Sequence, residues 1–303
     1  MPVYNAARYL AAAIVSILQQ TYEKFEFLIV DDGSTDRSLA IIRKYAADDQ
    51  RIKVFSRGNT GIVGALNEGL NRAAGTFIAR MDADDLAVPT RLESQLSVMQ
   101  DQSECVALGA AVLFVDPEGH EMKVYAPCRS HDEIRAEIAD GNGGAMVHPT
   151  LLLRRKALVL CGGYREKYNF IEDLDLYVRL LEFGTLQNLP EVLLRYRQHP
   201  QSVNHIMANR AAQIEELVAP LREKMGLPLL RLRPVGDQAS PRASTATYRR
   251  KWALQAAEGG NYQTARFNAL RAVLCRPWER SHWACLRYVL GLRDRVPVHH
   301  ELS

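Results

Sequence analysis

The chain has 303 residues, 47% hydrophobic and 24% charged, with a net charge of +3, figures of an ordinary globular protein large enough for a big domain and an appendage. Its five cysteines, Cys105, Cys128, Cys161, Cys275 and Cys285, form no CxxC pair, which argues against a zinc site or a disulfide framework and fits a reducing compartment. The longest apolar stretch, Cys105 to Val115, is too short for a membrane-spanning helix, and no signal peptide is visible, so the expected location is cytoplasmic, with the inner face of the membrane left open.

In chain order, "ARYLAAAIVSILQQ" has helical spacing, "FEFLIV" reads as a strand, and "TDRSLAIIRKYAADD" as a helix capped by Thr35 or Asp36. "RIKVFS" is the next strand, "GIVGALNEGLNRAAG" a helix closed by Gly75, "TFIARM" a strand, and "PTRLESQLSVMQ" a helix with Pro89 in its first turn. Strands alternating with helices predict a mainly parallel, three-layer α/β sheet, with ligands outside the carboxyl ends of the strands. Only "MPVY" remains for a strand before the first helix, so the stated start is expected to lie inside that strand.

After Cys105 the pattern is mixed. "CVALGAAVLFVD", "MVHPTLLLRR" and "EVLLRYR" read as strands, "RRKALVLCGGY" as a short helix, and "EDLDLYVRLLEFG" as a helix ended by Gly184. The Pro-, Ser- and Arg-rich "LPLLRLRPVGDQASPRAST" reads as a linker. Beyond it come two helices and the start of a third, with "GNYQTAR" resembling one unrepeated tetratricopeptide-like hairpin. From Leu221 to Ser303 there are 15 Lys+Arg against 6 Asp+Glu, and all three tryptophans. Two readings follow: a hairpin with buried Trp and solvated Arg, or a contact with an anionic membrane through 246–303. No nucleic-acid motif accompanies the charge.

Three acidic groups carry candidate chemistry. Asp82, Asp84 and Asp85 follow an apolar strand and could share a hard divalent cation with substrate phosphates, or form a solvated, helix-capping loop. Asp31 and Asp32, before Gly33-Ser34, could accept a hydrogen bond from a base, or cap a turn. Glu172 and Asp173 open an amphipathic helix, where the macrodipole favours acids, or where one could face a cleft as general base.

"PVYN", "QTYEKFEFLIVDDGSTD", "MDADD…P.RLE", "HPTLLLRR", "GGYRE", "EDLDLYVRL" and "YRQHPQSVN" together resemble a family-2 glycosyltransferase with a GT-A fold, over roughly Met1 to Asn204. The resemblance implies a catalytic domain at 1–205 (donor half about 1–100, acceptor half about 101–205), a connecting helix and linker at 206–245 and a basic helical tail at 246–303. It implies that Pro2, Tyr4 and Asp32 hold the base and ribose of a nucleotide-sugar, with UDP the default. Asp84 is then the principal ligand of Mg²⁺ or Mn²⁺, Asp82 lies nearer ribose and phosphate, and Asp85 faces the sugar or acceptor. Asp173 matches the catalytic base, with Glu172 beside it on the acceptor side. Arg197 and His199 would meet the diphosphate or the metal, a structural role being the alternative for His199 and the favoured reading for His148. The implied reaction is inverting transfer to a saccharide or lipid-linked acceptor in cell-envelope polysaccharide or lipopolysaccharide assembly. The alternatives are an inactive nucleotide-sugar-binding or assembly protein of the same fold, and a metal-dependent phosphoryl-transfer enzyme. The latter would want DxDx[TV], which Asp31-Asp32-Gly33 does not supply.

Overall fold

The computed structural model of the protein describes residues 1–200, 210–232 and 245–292. The chain divides into two compact units, the larger made of Met1–Val112, Ala126–Arg195 and Arg210–Leu232. The smaller is made of Leu113–Tyr125, Tyr196–Asn209 and Arg233–Ser303. A division by chain order, at 205 and 245, does not follow these units: the smaller one recruits two segments from the middle of the sequence. Most of the expected linker, 233–244, lies outside the described residues.

The larger unit begins as the alternating pattern predicts. β1 (Pro2–Val3), β2 (Phe27–Asp31) and β3 (Ile52–Ser56) form a parallel sheet, with Pro2 opposite Val30 and Phe27 opposite Ile52. α1 (Leu10–Leu18), α2 (Ser38–Asp48) and α3 (Gly61–Arg72) supply the intervening helices. α2 starts two residues later than expected. Asp36 accepts from the Ser38 amide at 2.8 Å and the Ala7 amide at 3.0 Å, so it ties two loops together before the helix begins.

Downstream the direction changes. β4 (Phe77–Ala79), β8 (Leu152–Arg154), β6 (Cys105–Val115), β9 (Thr185–Arg197) and β5 (Leu86–Ala87) lie side by side in that order. The β4–β8, β6–β8 and β5–β9 pairs are antiparallel, so the mainly parallel character belongs to the first sheet only. "MVHPTLLLRR" is strand only over Leu152–Arg154. His148–Thr150 make a tight helical turn, because Pro149 has no N–H for a sheet ladder.

Three more helices belong to this unit. α4 (Arg91–Asp101) and α6 (Arg155–Leu160) were expected, whereas α5 (His131–Ala139) starts in a Ser130–Glu133 capping box that was not. α7 (Glu172–Leu180) and α8 (Ala211–Lys224) complete the unit. Val106, Ile134, Ile138, Leu153, Leu174 and Leu180 share one core with Leu217 and Leu221 of α8. Each such leucine contributes about 1.5–3 kcal/mol by leaving water, so α8 is built into the unit that carries α7.

In the smaller unit β7 (Glu121–Tyr125) packs with α9 (Thr245–Glu258), α10 (Tyr262–Cys275) and α11 (Arg280–Val289) around Met122, Trp252, Ala253, Ala269 and Cys285. Gly259 lies so close to the strand that a Cβ there would sit 2.2 Å from the Met122 carbonyl oxygen. Of the tryptophans, Trp252 is buried while Trp278 and Trp283 are exposed. Arg249, expected on a solvated face, is buried as well.

Candidate active site

The two loops at the carboxyl end of the first sheet are locked together. Asn5, itself at φ 50°, accepts from the Thr35 amide at 2.8 Å, and the Asn5 and Ala6 amides donate to Ser34 and Ser38 at 3.0 and 2.9 Å. Gly33 turns the chain at φ +75°, and a Cβ there would lie 2.7 Å from the Asn59 nitrogen. Only glycine meets both demands.

Asp31 and Asp32 are both buried, and the local bonding explains how. Asp31 accepts from the Ser56 hydroxyl at 2.9 Å and the Ser34 amide at 3.3 Å. Asp32 accepts from the Gly61 amide at 2.8 Å and the Thr60 amide at 3.1 Å, which places its charge on the N-terminus of α3. Arg57 stands 3.5 Å away. The adjacent charges are therefore separated onto different donors, and the positive end of α3 stabilises the second. Pro2 is half-buried and Tyr4 exposed on the same loop, open to a stacking partner.

At the end of β4 stands an arginine that the sequence reading passed over. Arg80 is buried and ion-paired with Asp82. Its backbone carbonyl accepts from Arg91 at 2.7 Å, and Arg91 is in turn held by Gln95 at 3.1 Å. Arg91 is the arginine of "P.RLE", so that motif acts as a buried brace for the strand end that delivers the acids. The only signal for Arg80 was its place, charged and immediately before "MDADD".

One carboxylate oxygen from each of Asp82, Asp84 and Asp85 lies within 4.8 Å of the others, a spacing a single divalent cation can bridge. Burial raises the Asp82 pKa, against the opposing pull of Arg80, and the Asp84 charge adds to the rise. Asp85 is the most buried of the three. The residues present therefore fit a Mg²⁺ or Mn²⁺ site, in which added positive charge relieves the mutual repulsion.

Across from this cluster α7 begins with Glu172 and Asp173. The residue two before it, Phe170, is held at φ 73°, a left-handed conformation costly for a side chain of that size. Burial pushes the Asp173 carboxyl up to about 7, and the neighbouring Glu172 charge adds to it. Burial also raises Glu172, whose Oε2 is buried with no hydrogen-bond partner. Arg80 acts electrostatically on both, and Asp82 on Glu172, so the two acid groups share one site. Gly143 faces this carboxylate: a Cβ there would lie 3.8 Å from Asp173 Oδ2.

The other acid of this helix has a different task. Asp175 is fully buried between Arg165 and Arg179, the Arg179 contact being 2.6 Å. His148 is buried with Nε2 3.0 Å from the Tyr164 hydroxyl, and burial holds its pKa well below the usual range, as a structural imidazole. Arg197 and His199 belong to the smaller unit. Arg197 donates to the carbonyls of Asp116 and Pro117 at 3.3 and 3.1 Å, and His199 is buried two residues on.

Residues 1–160 match the family model described as glycosyl transferase family 2. A Bacillus subtilis protein named provisionally as a glycosyltransferase, EpsE, is 35% identical over 65% of this chain and 71% of its own length. The amylovoran biosynthesis glycosyltransferase AmsE of Erwinia amylovora is 32% identical over 64% of this chain and 73% of its own. Among solved structures, S. aureus TarS 1–349 in complex with UDP-GlcNAc superposes with a TM-score of 0.58 at 17% identity, covering 97% of this chain and 91% of that one.

Proposed function

The chain belongs to glycosyl transferase family 2, with the GT-A fold, and is a glycosyltransferase; from that premise we propose an inverting enzyme that moves a sugar from a UDP-sugar to the hydroxyl of a saccharide or lipid-linked acceptor in polysaccharide biosynthesis. The observation that carries it is the pairing of Asp173, poised at about 7, with an aspartate cluster spaced for one cation. The TarS complex with UDP-GlcNAc and the amylovoran role of AmsE support the donor class and the setting.

In this reading Pro2, Tyr4 and the loop carrying Asp32 hold the nucleoside. Asp32 acts from its seat on α3, so it aligns the loop as well as the base. Asp84 is the principal ligand of the divalent ion, with Asp82 and Asp85 beside it. That ion, when bound, neutralises charge on the diphosphate and favours its departure. Arg80, ion-paired with Asp82, favours the charged form of that acid against the effect of burial.

Asp173 removes the proton from the acceptor hydroxyl. The acceptor oxygen then bonds to the anomeric carbon, and the bond to the phosphate oxygen breaks, its electron pair leaving with the nucleoside diphosphate. One displacement inverts the configuration. A base near 7 is mostly ionised at pH 7.5 yet basic enough to accept a hydroxyl proton as the new bond forms. Glu172, with an unused buried oxygen, accepts a second hydrogen bond from the acceptor.

The test is a donor screen with Mg²⁺ or Mn²⁺, read by nucleoside diphosphate release and by NMR of the product anomer. Turnover of an α-linked UDP-sugar to a β-linked product, lost on Asp173→Asn, is expected. Retention of configuration, or full activity in Asp173→Asn, overturns the base assignment, and turnover of GDP- or dTDP-sugars alone overturns the UDP assignment.

A membrane-facing acceptor also suits the smaller unit. Leu274, Trp278 and Trp283 are exposed around the turn between α10 and α11, among exposed Arg276, Arg280 and Arg287. Trp283 Nε1 donates to the Pro277 carbonyl at 2.7 Å, which fixes the ring against that turn. We assign this patch to an anionic bilayer surface. Co-sedimentation with phosphatidylglycerol vesicles, reduced by Trp278→Ala with Trp283→Ala, is expected; no binding to such vesicles overturns it. No helix among the described residues is long and apolar enough to cross a membrane.

A further inference from the structure

Two segments of the larger unit flank Asp173, and a single helix touches both. The first, at 139–146, carries Gly143 opposite the Asp173 carboxylate. The second, at 165–171, leads into α7 through the left-handed Phe170. α8 packs against α5 and α7, and its two ends meet the two segments separately. The C-terminal end does so through Arg222, which is 7% exposed. Arg222 Nη1 donates to the Ala139 carbonyl at 2.9 Å and to Asp140 Oδ1 at 2.7 Å, and Nε to the Pro228 carbonyl at 2.6 Å. Asp140 is the C-cap of α5, so the guanidinium satisfies a carbonyl that the helix end leaves open. Gly141 follows at φ +78°, where a Cβ would meet Ile214 Cγ2 of α8 at 2.6 Å and Leu230 Cδ2 at 3.2 Å. The turn is therefore bonded to Arg222 and pressed against Ile214, two residues before Gly143.

The N-terminal end meets the second segment. The Arg210 guanidinium lies 5.4 Å from the centre of the Phe170 ring, and Gln213 Nε2 donates to the Lys167 carbonyl at 3.5 Å. Lys167 also reaches Glu216 at 2.6 Å, an exposed pair of small weight. Between the ends, Leu217 and Leu221 share the core with Leu174, the residue after Asp173. Apolar packing alone would seat the helix; a buried guanidinium with a rigid fork of donors adds register to it. α8 also lies beyond residues 1–160, the span that matches the family model.

We propose that α8 sets the fit of the acceptor, with Arg222 as its positioning residue: by holding Ala139 and Asp140 it fixes the height of Gly143 over Asp173, and so the space left for a sugar hydroxyl. This rests on Asp173 as the base. Without Arg222 the turn at 139–143 loosens, water reaches Asp173, and its carboxyl titrates closer to the ordinary range. Glu172 and Arg80, the charged groups that act on Asp173, are the same in every variant below. The loops of the first sheet keep their own bonds, from Asn5 to Ser34 and Thr35, so donor binding is spared.

The test compares the full chain with its Arg222→Met, Ile214→Ala and Val218→Ala variants. Val218 is a fully buried position of α8 whose side chain makes no hydrogen bond, so that variant weakens the helix alone. In the first two, amide exchange at 141–146, referred to that at 27–31, is expected to quicken about tenfold. The Asp173 carboxyl, followed by ¹³C NMR, is expected to titrate about one pH unit lower. With octyl glycosides as acceptors, KM for the acceptor should rise about tenfold while donor hydrolysis without acceptor stays within about twofold. Val218→Ala should lower Tm and leave exchange and titration in place. Unchanged exchange and titration in Arg222→Met and Ile214→Ala overturn the proposal, and so does an equal change in Val218→Ala, which would make α8 an element of stability only. If Arg222→Met does not fold, Ile214→Ala decides. Full activity of Asp173→Asn overturns the base reading and the acceptor role together. An inactive Asp173→Asn beside unmoved exchange and titration in the α8 variants overturns this proposal alone.

Discussion

Among the described residues, two clusters bring three ligand-type side chains within 4.8 Å, Asp82–Asp84–Asp85 in the larger unit and Asp116–Glu118–His120 in the smaller. The second is neutralised from within. Arg249 meets Glu118 at 2.6 Å, Asn268 donates to Asp116 at 2.9 Å, and Arg271 stands 3.5 Å from Glu118. The first sets Asp82, Asp84, Asp85, Glu172 and Asp173 against the buried Arg80 and Arg91, and leaves Asp173 titrating near 7. Proximity of acids is common to both; the local balance of charge is what separates a scaffold from a reaction site. The same contrast recurs within α7, where Asp175 is clamped by two arginines and Asp173 is not.

The largest effect that can break this comparison is on turnover. Asp173→Asn should lower kcat by about 10³-fold, within the range of a lost general base, while stability moves the other way. The folded-state pKa of Asp173 is raised, so its contribution to stability is full below the unfolded value of about 4 and is lost as pH rises through about 7. Asp173→Asn should therefore raise Tm at pH 8 and leave it unchanged near pH 4; a Tm that falls equally at both would make Asp173 structural.

Arg249→Met should do the reverse. Leaving Glu118 and Asp116 without their buried arginine costs about 3 kcal/mol, seen in urea melts of the smaller unit, with kcat of the folded enzyme intact. A smaller shift comes from Glu172→Gln. The acid limb of kcat/KM, expected near pH 7, should move to lower pH, because the Glu172 charge helps to hold Asp173 up. An unmoved limb would assign that pKa elsewhere. Asp32→Ala should cost about 1 kcal/mol of stability as a lost helix cap and weaken donor binding more than turnover, measurable by calorimetry with the UDP-sugar.

Much of this was legible in the sequence because it lies in local pattern. The β–α alternation gave the parallel sheet, "DDGS" stands at the end of one strand, "MDADD" follows another, and "ED" opens a helix. What local pattern does not carry is pairing between distant residues. Nothing near Arg249 announces Glu118, and nothing near Arg80 says that its charge acts on Asp173. Neither Arg91 nor Arg80 carries a local signal of burial, since arginine in strands and helices normally lies at the surface. The tail follows the buried-Trp reading at Trp252 alone: Arg249 turns inward with it, while Trp278 and Trp283 stay exposed.

In the reaction proposed above, Gly143 sets how far the acceptor side can change. A methyl group there would stand 3.8 Å from Asp173 Oδ2, at the distance of ordinary contact, so alanine is tolerated sterically while anything larger enters the proposed path of the acceptor hydroxyl. α7 is held in place, since Asp175 pairs with Arg165, and Arg179 of the same helix donates to the Cys161 carbonyl at 2.6 Å. In that proposed reaction, altered acceptor choice is steered toward the short loop at 141–146 and away from the helix that carries Asp173.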